Sequence, residues 1–150
     1  MVRTVALAFQ RGDLAQEVTA EAFARAWADW DRVSAMASPG GWVYRVAVNL
    51  MQSRLRRARL ERRFAQQAPA APIAPPPSVS DDALWDAVRA LAPRARVAIA
   101  LRYVADLPEA DIATVMGISR GTVASTLSSA RHRLAQALAR EAREEEGCIQ

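Results

Sequence analysis

Lysine is absent from this chain of 150 residues, and cysteine occurs once, at Cys148. A single cysteine excludes a disulfide within the chain and a cysteine-based metal site, as is typical of proteins in a reducing compartment. No apolar run approaches the roughly 20 residues that a membrane-spanning helix needs. The N-terminus also lacks the pattern of a secretory signal. We therefore expect a cytoplasmic protein with no membrane insertion and no role for Cys148.

Catalytic motifs are missing as well. The one histidine, His132, has no accompanying cluster of His, Cys or Asp. The sequence shows no paired-histidine spacing, no Gly-rich phosphate loop and no nucleophile motif. We therefore expect that the protein is not an enzyme, has no catalytic residue and needs neither a metal nor a cofactor.

Positive charge is concentrated in the first half of the chain. Residues 1–66 carry 11 arginines against 6 acidic residues, whereas residues 67–150 carry 9 against 10. From Arg45 to Arg63 there are seven arginines and one acidic residue. A run of this kind is either a solvated helix face or a surface for an anionic partner.

Residues 42–63 predict one long helix with two different faces. Val43, Val46, Ala47 and Leu50 recur at the spacing of a buried helix face. A second stripe, at similar spacing, contains only cations and amides. Its members are Arg45, Asn49, Gln52, Arg56, Arg59 and Arg63. The absence of interleaved glutamates in this stripe favours the interpretation that it binds an anionic partner.

Proline divides the chain into two parts. Residues 65–80 hold five of the eight prolines, which excludes a helix there and predicts an extended linker. Both flanks have helical periodicity and neither alternates as strands do. We predict an all-α protein with helical domains at 1–64 and 81–140, a Pro-rich linker at 65–80 and a charged tail at 141–150. Three helical signals, at 2–9, 14–30 and 42–63, predict a three-helix bundle for the first domain.

Residues 107–138 have the features of a helix-turn-helix. Gly117 tolerates the left-handed backbone that a tight turn needs, and Ser119 can cap the helix that follows. In such units the second helix enters the major groove of DNA. Its polar side chains can bind phosphates or base edges. These are Arg120, Thr122, Ser125, Thr126 and Ser129. A plain helical hairpin is the alternative interpretation.

Both halves resemble bacterial sigma factors of the extracytoplasmic-function group. The motifs LRYV, LPEADIA, GIS-GTV and AR-RL resemble region 4 of that family. The stretches AQEVTAEAFARAWADWDRV and WVYRVAVNLMQSRLRR resemble region 2. The resemblance covers about residues 3–138. It implies a sigma factor that binds core RNA polymerase, recognises the −35 and −10 promoter elements and assists DNA melting. A stand-alone helix-turn-helix regulator is the alternative.

The resemblance also implies a role for each surface. The −10 DNA would meet Ser38, Trp42, Arg45, Asn49, Gln52, Arg56 and Arg59. The −35 DNA would be read by Ser119, Arg120, Thr122, Val123, Ser125, Thr126, Ser129, Arg131 and Arg133. The polymerase β′ coiled coil would bind Glu17, Glu21 and Arg25. The polymerase β flap, promoter DNA and an anti-sigma factor complete the implied partners.

Within the −10 surface, the loop of residues 34–41 resembles the segment that captures an extruded base. Trp42 and Tyr44 are candidate stacking platforms for bases, although tryptophan at helical spacing is also typical of a core residue.

The chain departs from the family pattern at several positions. Basic or larger polar residues are common in the family at the positions of Ala124, Thr126, Ser128 and Ser129. We therefore expect this helix to make a weak electrostatic contribution to DNA affinity. Ala20 replaces a glutamine typical of the polymerase-binding helix. The first helix is also shorter than usual, which predicts either a start upstream of Met1 or a shortened domain.

Overall fold

The computed structural model describes residues 1–65 and 82–147, which form eight helices and no strand. The helices are α1 (Val2–Phe9), α2 (Gly12–Ala28), α3 (Trp30–Ser34), α4 (Pro39–Ala65), α5 (Asp82–Ala90), α6 (Pro93–Tyr103), α7 (Glu109–Met116) and α8 (Arg120–Gly147). The all-α prediction is confirmed. None of the described helices combines the length and apolarity needed to cross a membrane. Most of the predicted linker and residues 148–150 of the predicted tail lie outside the described residues.

The first turn of the chain lies at residues 10–11, between the first two predicted helices. Gln10 ends α1 in the left-handed conformation, at φ 54°, and α2 begins at Gly12. Arg11 binds Asp13 in the first turn of α2, with Nη2 and Oδ2 2.6 Å apart. The hydrogen bond from Arg11 holds the pKa of Asp13 below its usual value. An anionic residue at this position also complements the positive end of the helix dipole.

The buried side of α2 consists of small residues. Ala15, Val18, Ala22 and Ala26 are buried, whereas Trp27 is 81% exposed and Trp30 is 50% exposed. Trp27 and Trp30 therefore do not share the buried face of Val18. One residue corresponds to about 100° around a helix, so Trp27 points well away from Ala26. The short helix α3 was not predicted, and it adds a fourth helix to the expected bundle.

Helix α4 is buried on two sides. Val43, Ala47 and Met51 face the core of the first domain, while Val48 belongs to the core of the second. Val46 and Leu50 were predicted to be core residues but are only partly buried. The helix starts at Pro39, so the predicted loop of residues 34–41 shortens to residues 35–38.

The second domain contains the predicted helix-turn-helix in α7 and α8. Gly117 ends α7 at φ 65°, ψ 38°, and the Ile118 amide donates to the Ala113 carbonyl at 3.1 Å. The Ser119 hydroxyl then accepts a hydrogen bond from the Thr122 amide at 3.1 Å, which confirms its role as the cap of α8. Helix α8 runs to Gly147. Residues 141–147 of the predicted tail continue this helix.

The two domains pack directly against each other. Ala8 of α1 and Val48 of α4 are buried in the same cluster as Leu101, Ile112 and Leu127 of the second domain. A domain of fewer than about 70 residues rarely forms a core large enough for high stability alone. Sharing side chains across the junction enlarges the core of the second domain.

The turn of the helix-turn-helix gives a test by paired glycine substitutions. Gly117→Ala should lower the free energy of unfolding by about 1–2 kcal/mol, because an alanine is strained in the left-handed conformation. Nothing lies within 4 Å of the added methyl group, so the effect is purely conformational. Gly121→Ala, inside α8, should leave stability unchanged or raise it by up to about 1 kcal/mol. Urea unfolding measures both, and equal effects would contradict the turn geometry.

Candidate nucleic-acid interface

The polar stripe of α4 is exposed along its length. Arg45, Asn49, Gln52, Arg56 and Arg59 all face solvent. Helix α4 has 27 residues, so it extends about 40 Å at 1.5 Å per residue. The stripe predicted from spacing alone therefore forms a continuous face of cations and amides. The side chain of Arg63, its last predicted member, lies outside the described part.

Ion pairing divides the arginines of α4 into two groups. Arg54 binds Glu17 at 2.6 Å and Glu21 at 2.9 Å, and Arg57 binds Glu61 at 2.9 Å. Within residues 1–65 and 82–147, no ion pair involves Arg45, Arg56 or Arg59 of the polar stripe. No carboxylate of this described part compensates their charge, which suits the binding of phosphates.

The segment before α4 places Ser38 between two partners. Its hydroxyl accepts a hydrogen bond from the Gly41 amide at 3.2 Å and donates one to Asp111 of α7 at 2.5 Å. Ser38 is thus the cap of α4 and a contact between the domains. It is partly buried, not freely presented to solvent.

The aromatic residues at the start of α4 are partly buried. Trp42 packs against the core of the first domain, which favours the core alternative over a freely exposed stacking platform. Tyr44 packs against the core of the second domain, and its hydroxyl lies 3.3 Å from that of Thr4. Neither ring is fully available to a base in this arrangement.

Helix α8 presents most of its predicted DNA-facing residues to solvent. Ser119, Arg120, Thr122, Ser125, Ser129, Arg131 and Arg133 are exposed, and Thr126 is partly buried. Val123 is 0% exposed and packs in the core with Leu127 and Ala130. A direct DNA contact by Val123 was therefore a wrong prediction, because its side chain points into the protein.

Helical geometry separates two of the predicted contacts on α8. Ser129 and Arg131 are two residues apart, or about 200° around the helix. Arg133 lies four residues beyond Ser129 and shares its face. A duplex that meets Ser129 and Arg133 is thus on the opposite side from Arg131. At the start of the helix, Arg120 lies 3.7 Å from Glu109 of α7.

The predicted polymerase-binding residues form one charged network on α2. Arg25 binds Glu21 at 2.6 Å, and Arg54 of α4 binds both Glu21 and Glu17. Glu17 and Arg25 are exposed, while Glu21 is partly buried. A partner that uses these carboxylates must share them with Arg54 or displace it.

An exposed aromatic surface on α2 and α3 was not predicted. Phe23, Trp27 and Trp30 are at least half exposed and line a shallow cleft of about 440 Å³. Phe23 and Trp27 are four residues apart on α2, and Trp30 begins α3. A second apolar surface, made of large residues, is thus present besides the buried stripe of small ones. This surface was not predicted because large apolar residues are normally expected to be buried. Exposed aromatic clusters of this kind are typical of protein interaction sites.

The fold and the site define a helical DNA-binding protein with two parts, and comparisons with known proteins identify the family. Sigma-70 region 2 matches residues 1–61, and Sigma-70, region 4 matches residues 81–134. The RNA polymerase sigma-E factor of Streptomyces coelicolor is 30% identical over 142 residues, which cover 87% of this chain and 80% of that protein. That of Streptomyces antibioticus is 31% identical over 142 residues, with coverage of 87% and 79%.

A solved structure shows the same fold. The sigma factor RpoE from Bartonella quintana, in complex with the anti-sigma factor NepR, matches with a TM-score of 0.75 at 23% identity. The match covers 91% of this chain and 88% of that one. The chain belongs to the sigma-70 family, and within it to the extracytoplasmic-function group.

The network around Arg54 gives a second test. Arg54→Met should lower the free energy of unfolding by about 1–2 kcal/mol, because the partly buried Glu21 and the neighbouring Glu17 lose a shared charged donor. Arg57→Met is the matched control. Among the described residues Arg57 pairs only with the exposed Glu61, one turn away, so its replacement should change stability by less than about 0.5 kcal/mol. Chemical unfolding measures the free energy of unfolding of both variants, and equal losses of stability would contradict the network.

Proposed function

We propose that this sigma factor binds core RNA polymerase and directs promoter-specific initiation through three separate surfaces. The observation that carries the proposal is the exposed cationic stripe of α4, in which Arg45, Arg56 and Arg59 have no ion pair among the described residues, in a domain that matches region 2 of the family. A stand-alone regulator needs the helix-turn-helix alone and gives no reason for the first domain. Sigma factors are in general not enzymes, and we expect this one to act by binding, in the cytoplasm.

The −10 surface consists of the α4 stripe and the segment that precedes it. Arg45, Arg56 and Arg59 supply cations for phosphates, while Asn49 and Gln52 supply donors and acceptors for bases. Unstacked bases are held by stacking and by pockets. Ser38 and Trp42 would bind such bases once the residues that pack around this segment move away. Together these groups would stabilise a melted strand.

The −35 surface is the exposed face of α8. Thr122, Ser125, Ser129 and Arg133 point away from the core formed by Val123 and Leu127. Ser119 and Thr126 extend this face, and Arg120 lies at the N-terminal end of the helix, the part that enters the major groove in related folds. Hydroxyl groups outnumber cations here. Specificity would therefore rest on hydrogen bonds, ordered waters and DNA shape more than on charge.

The polymerase surface is proposed to be the charged network of α2, with the aromatic residues of α2 and α3 as a second, separate contact. The charged groups of this surface, which would orient the partner, belong to Glu17, Glu21 and Arg25. Phe23, Trp27 and Trp30 give the apolar area that most binding free energy comes from. The polymerase β′ coiled coil is the proposed partner of this surface, and the β flap that of the second domain. An anti-sigma factor is a further proposed partner, supported by the complex in which the Bartonella protein was solved.

Removal of one exposed tryptophan tests the polymerase surface. Trp27→Ala should raise the Kd for core polymerase by about tenfold or more, because buried aromatic anchors dominate interface energies. Stability should not fall, since Trp27 is 81% exposed in the free protein. Leu60→Ala is the control, as Leu60 is an exposed apolar residue on α4. Fluorescence anisotropy with core polymerase gives the Kd, and equal values for both variants would exclude this surface.

The cationic stripe predicts a particular salt dependence. Replacing both Arg56 and Arg59 with Ala should reduce the log–log slope of DNA affinity against salt by about 0.7–0.9 for each phosphate that is no longer neutralised. The decrease in affinity should be similar on all promoters, because phosphates carry no sequence. Arg57→Ala serves as the control, since Arg57 is paired with Glu61. Titration of the holoenzyme on promoter DNA measures the slope, and an identical slope for all three proteins would contradict the assignment.

A further inference from the structure

A cation lies at the end of α8 where the helix dipole disfavours it. Arg120 is the first residue of α8, and the first turn of this helix contains no acidic residue. The positive end of the dipole therefore repels the guanidinium group, and nothing in the same turn offsets the repulsion. The Arg120 side chain is 75% exposed. An exposed residue that opposes a local rule of helix stability is a candidate for a functional contact.

The compensating carboxylate comes from the preceding helix. Glu109 is the first residue of α7, and its Oε2 atom lies 3.7 Å from Nε of Arg120. In the part of the chain that the structure describes, Glu109 is the one carboxylate that forms an ion pair with Arg120. An acidic residue suits the start of α7, because it complements the dipole of that helix. Glu109 is also partly buried, which limits the directions available to its side chain.

The turn between α7 and α8 fixes the distance between the two charges. The Ile118 amide donates to the Ala113 carbonyl at 3.1 Å, and Ile112 of α7 is buried in the same cluster as Val123 and Leu127 of α8. The starts of the two helices are therefore held in one relative position. Within that frame, the carboxylate of α7 restricts where the first side chain of α8 can point.

The ion pair leaves part of the guanidinium group available to DNA. Arginine has five N–H donors in a planar fork, and the contact with Glu109 is made on the Nε side. The two Nη groups can still offer a pair of parallel donors. Such a pair matches the O6 and N7 acceptors that guanine presents in the major groove.

We propose that Glu109 is a positioning residue that sets −35 specificity through Arg120 without touching DNA itself. The ion pair directs Arg120 toward the base edges, with guanine as the base it reads, and away from the phosphates. The proposal rests on the function proposed above, because it takes α8 as the −35 surface. Since the carboxylate also repels phosphates, Glu109 lowers overall affinity for DNA while it raises discrimination between sequences.

Four variants test this role. Glu109→Gln keeps the size of the side chain and removes its charge, Arg120→Ala removes the proposed reader, and the double variant combines the two changes. Asp106→Asn is the matched control, because it removes the same charge three residues earlier in the chain. Asp106 pairs with Arg102 of α6 at 3.6 Å and not with α8, and asparagine tolerates its left-handed backbone, at φ 53°. Circular dichroism verifies that all four remain helical.

The readouts come from holoenzyme reconstituted with core polymerase and a duplex promoter library that is randomised across the −35 element. Sequencing of the bound fraction should show a guanine preference at one position for the wild type. Glu109→Gln should weaken this preference about fivefold or more, the low end of what one bidentate base contact provides. Its log–log salt slope on sequences that lack the guanine should become steeper by about 0.9, since the released Arg120 can neutralise one more phosphate.

The other variants separate positioning from a general effect of charge. Arg120→Ala should lose the same preference without a steeper slope, and Glu109→Gln should change the preference no further when added to it. Asp106→Asn should keep the preference of the wild type.

Three results would overturn the proposal. These are an unchanged preference in Glu109→Gln, a further loss of preference in the double variant, and an equal loss in Asp106→Asn. Failure of the proposed function has a different signature, because then the wild-type chain would form no holoenzyme, or its holoenzyme would select no sequence at all. That result would also remove the basis of the positioning role.

Discussion

The guanidinium group of Arg96 is the contact on which the arrangement of the two domains depends. It is only 8% exposed and donates to three carbonyl oxygens, those of Ala8 at 3.0 Å, Arg89 at 2.9 Å and Leu91 at 3.1 Å. Carbonyls at helix C-termini have no partner within their own helix, and a cation there also complements the helix dipole. Burial lowers the pKa of Arg96, because desolvation disfavours its charged form. One side chain thus satisfies the ends of α1 and α5 and brings the two domains together.

Features set by local chemistry were predictable from the sequence. The turn at Gly117 follows from the left-handed backbone that glycine allows, and the cap at Ser119 from its hydroxyl one position before the helix. The polar stripe from Arg45 to Arg59 follows from helical spacing, and each of its members is exposed. These properties depend on neighbours within a few residues, and sequence spacing reports such neighbours directly.

Features set by packing between helices were not predictable. Large apolar residues are usually buried, but on α2 the small residues Ala22 and Ala26 are buried and the large ring of Trp27 is left outside. Arg54 is indistinguishable by sequence from Arg56, yet it pairs with two carboxylates of α2 because of where α4 crosses that helix. Arg54 pairs with a residue 33 positions away in the chain, and Ser38 with one 73 positions away. Contacts between residues so far apart leave no pattern in the local sequence.

The central claim is that this chain converts core RNA polymerase into an enzyme that starts at particular promoters. Transcription of a genomic DNA library by reconstituted holoenzyme, with sequencing of the RNA 5′ ends, tests this claim most directly. The account predicts discrete start sites that core polymerase alone does not use, each preceded by a shared pair of sequence elements near −10 and −35. Start sites identical to those of core polymerase, or the absence of any shared element upstream, would contradict it.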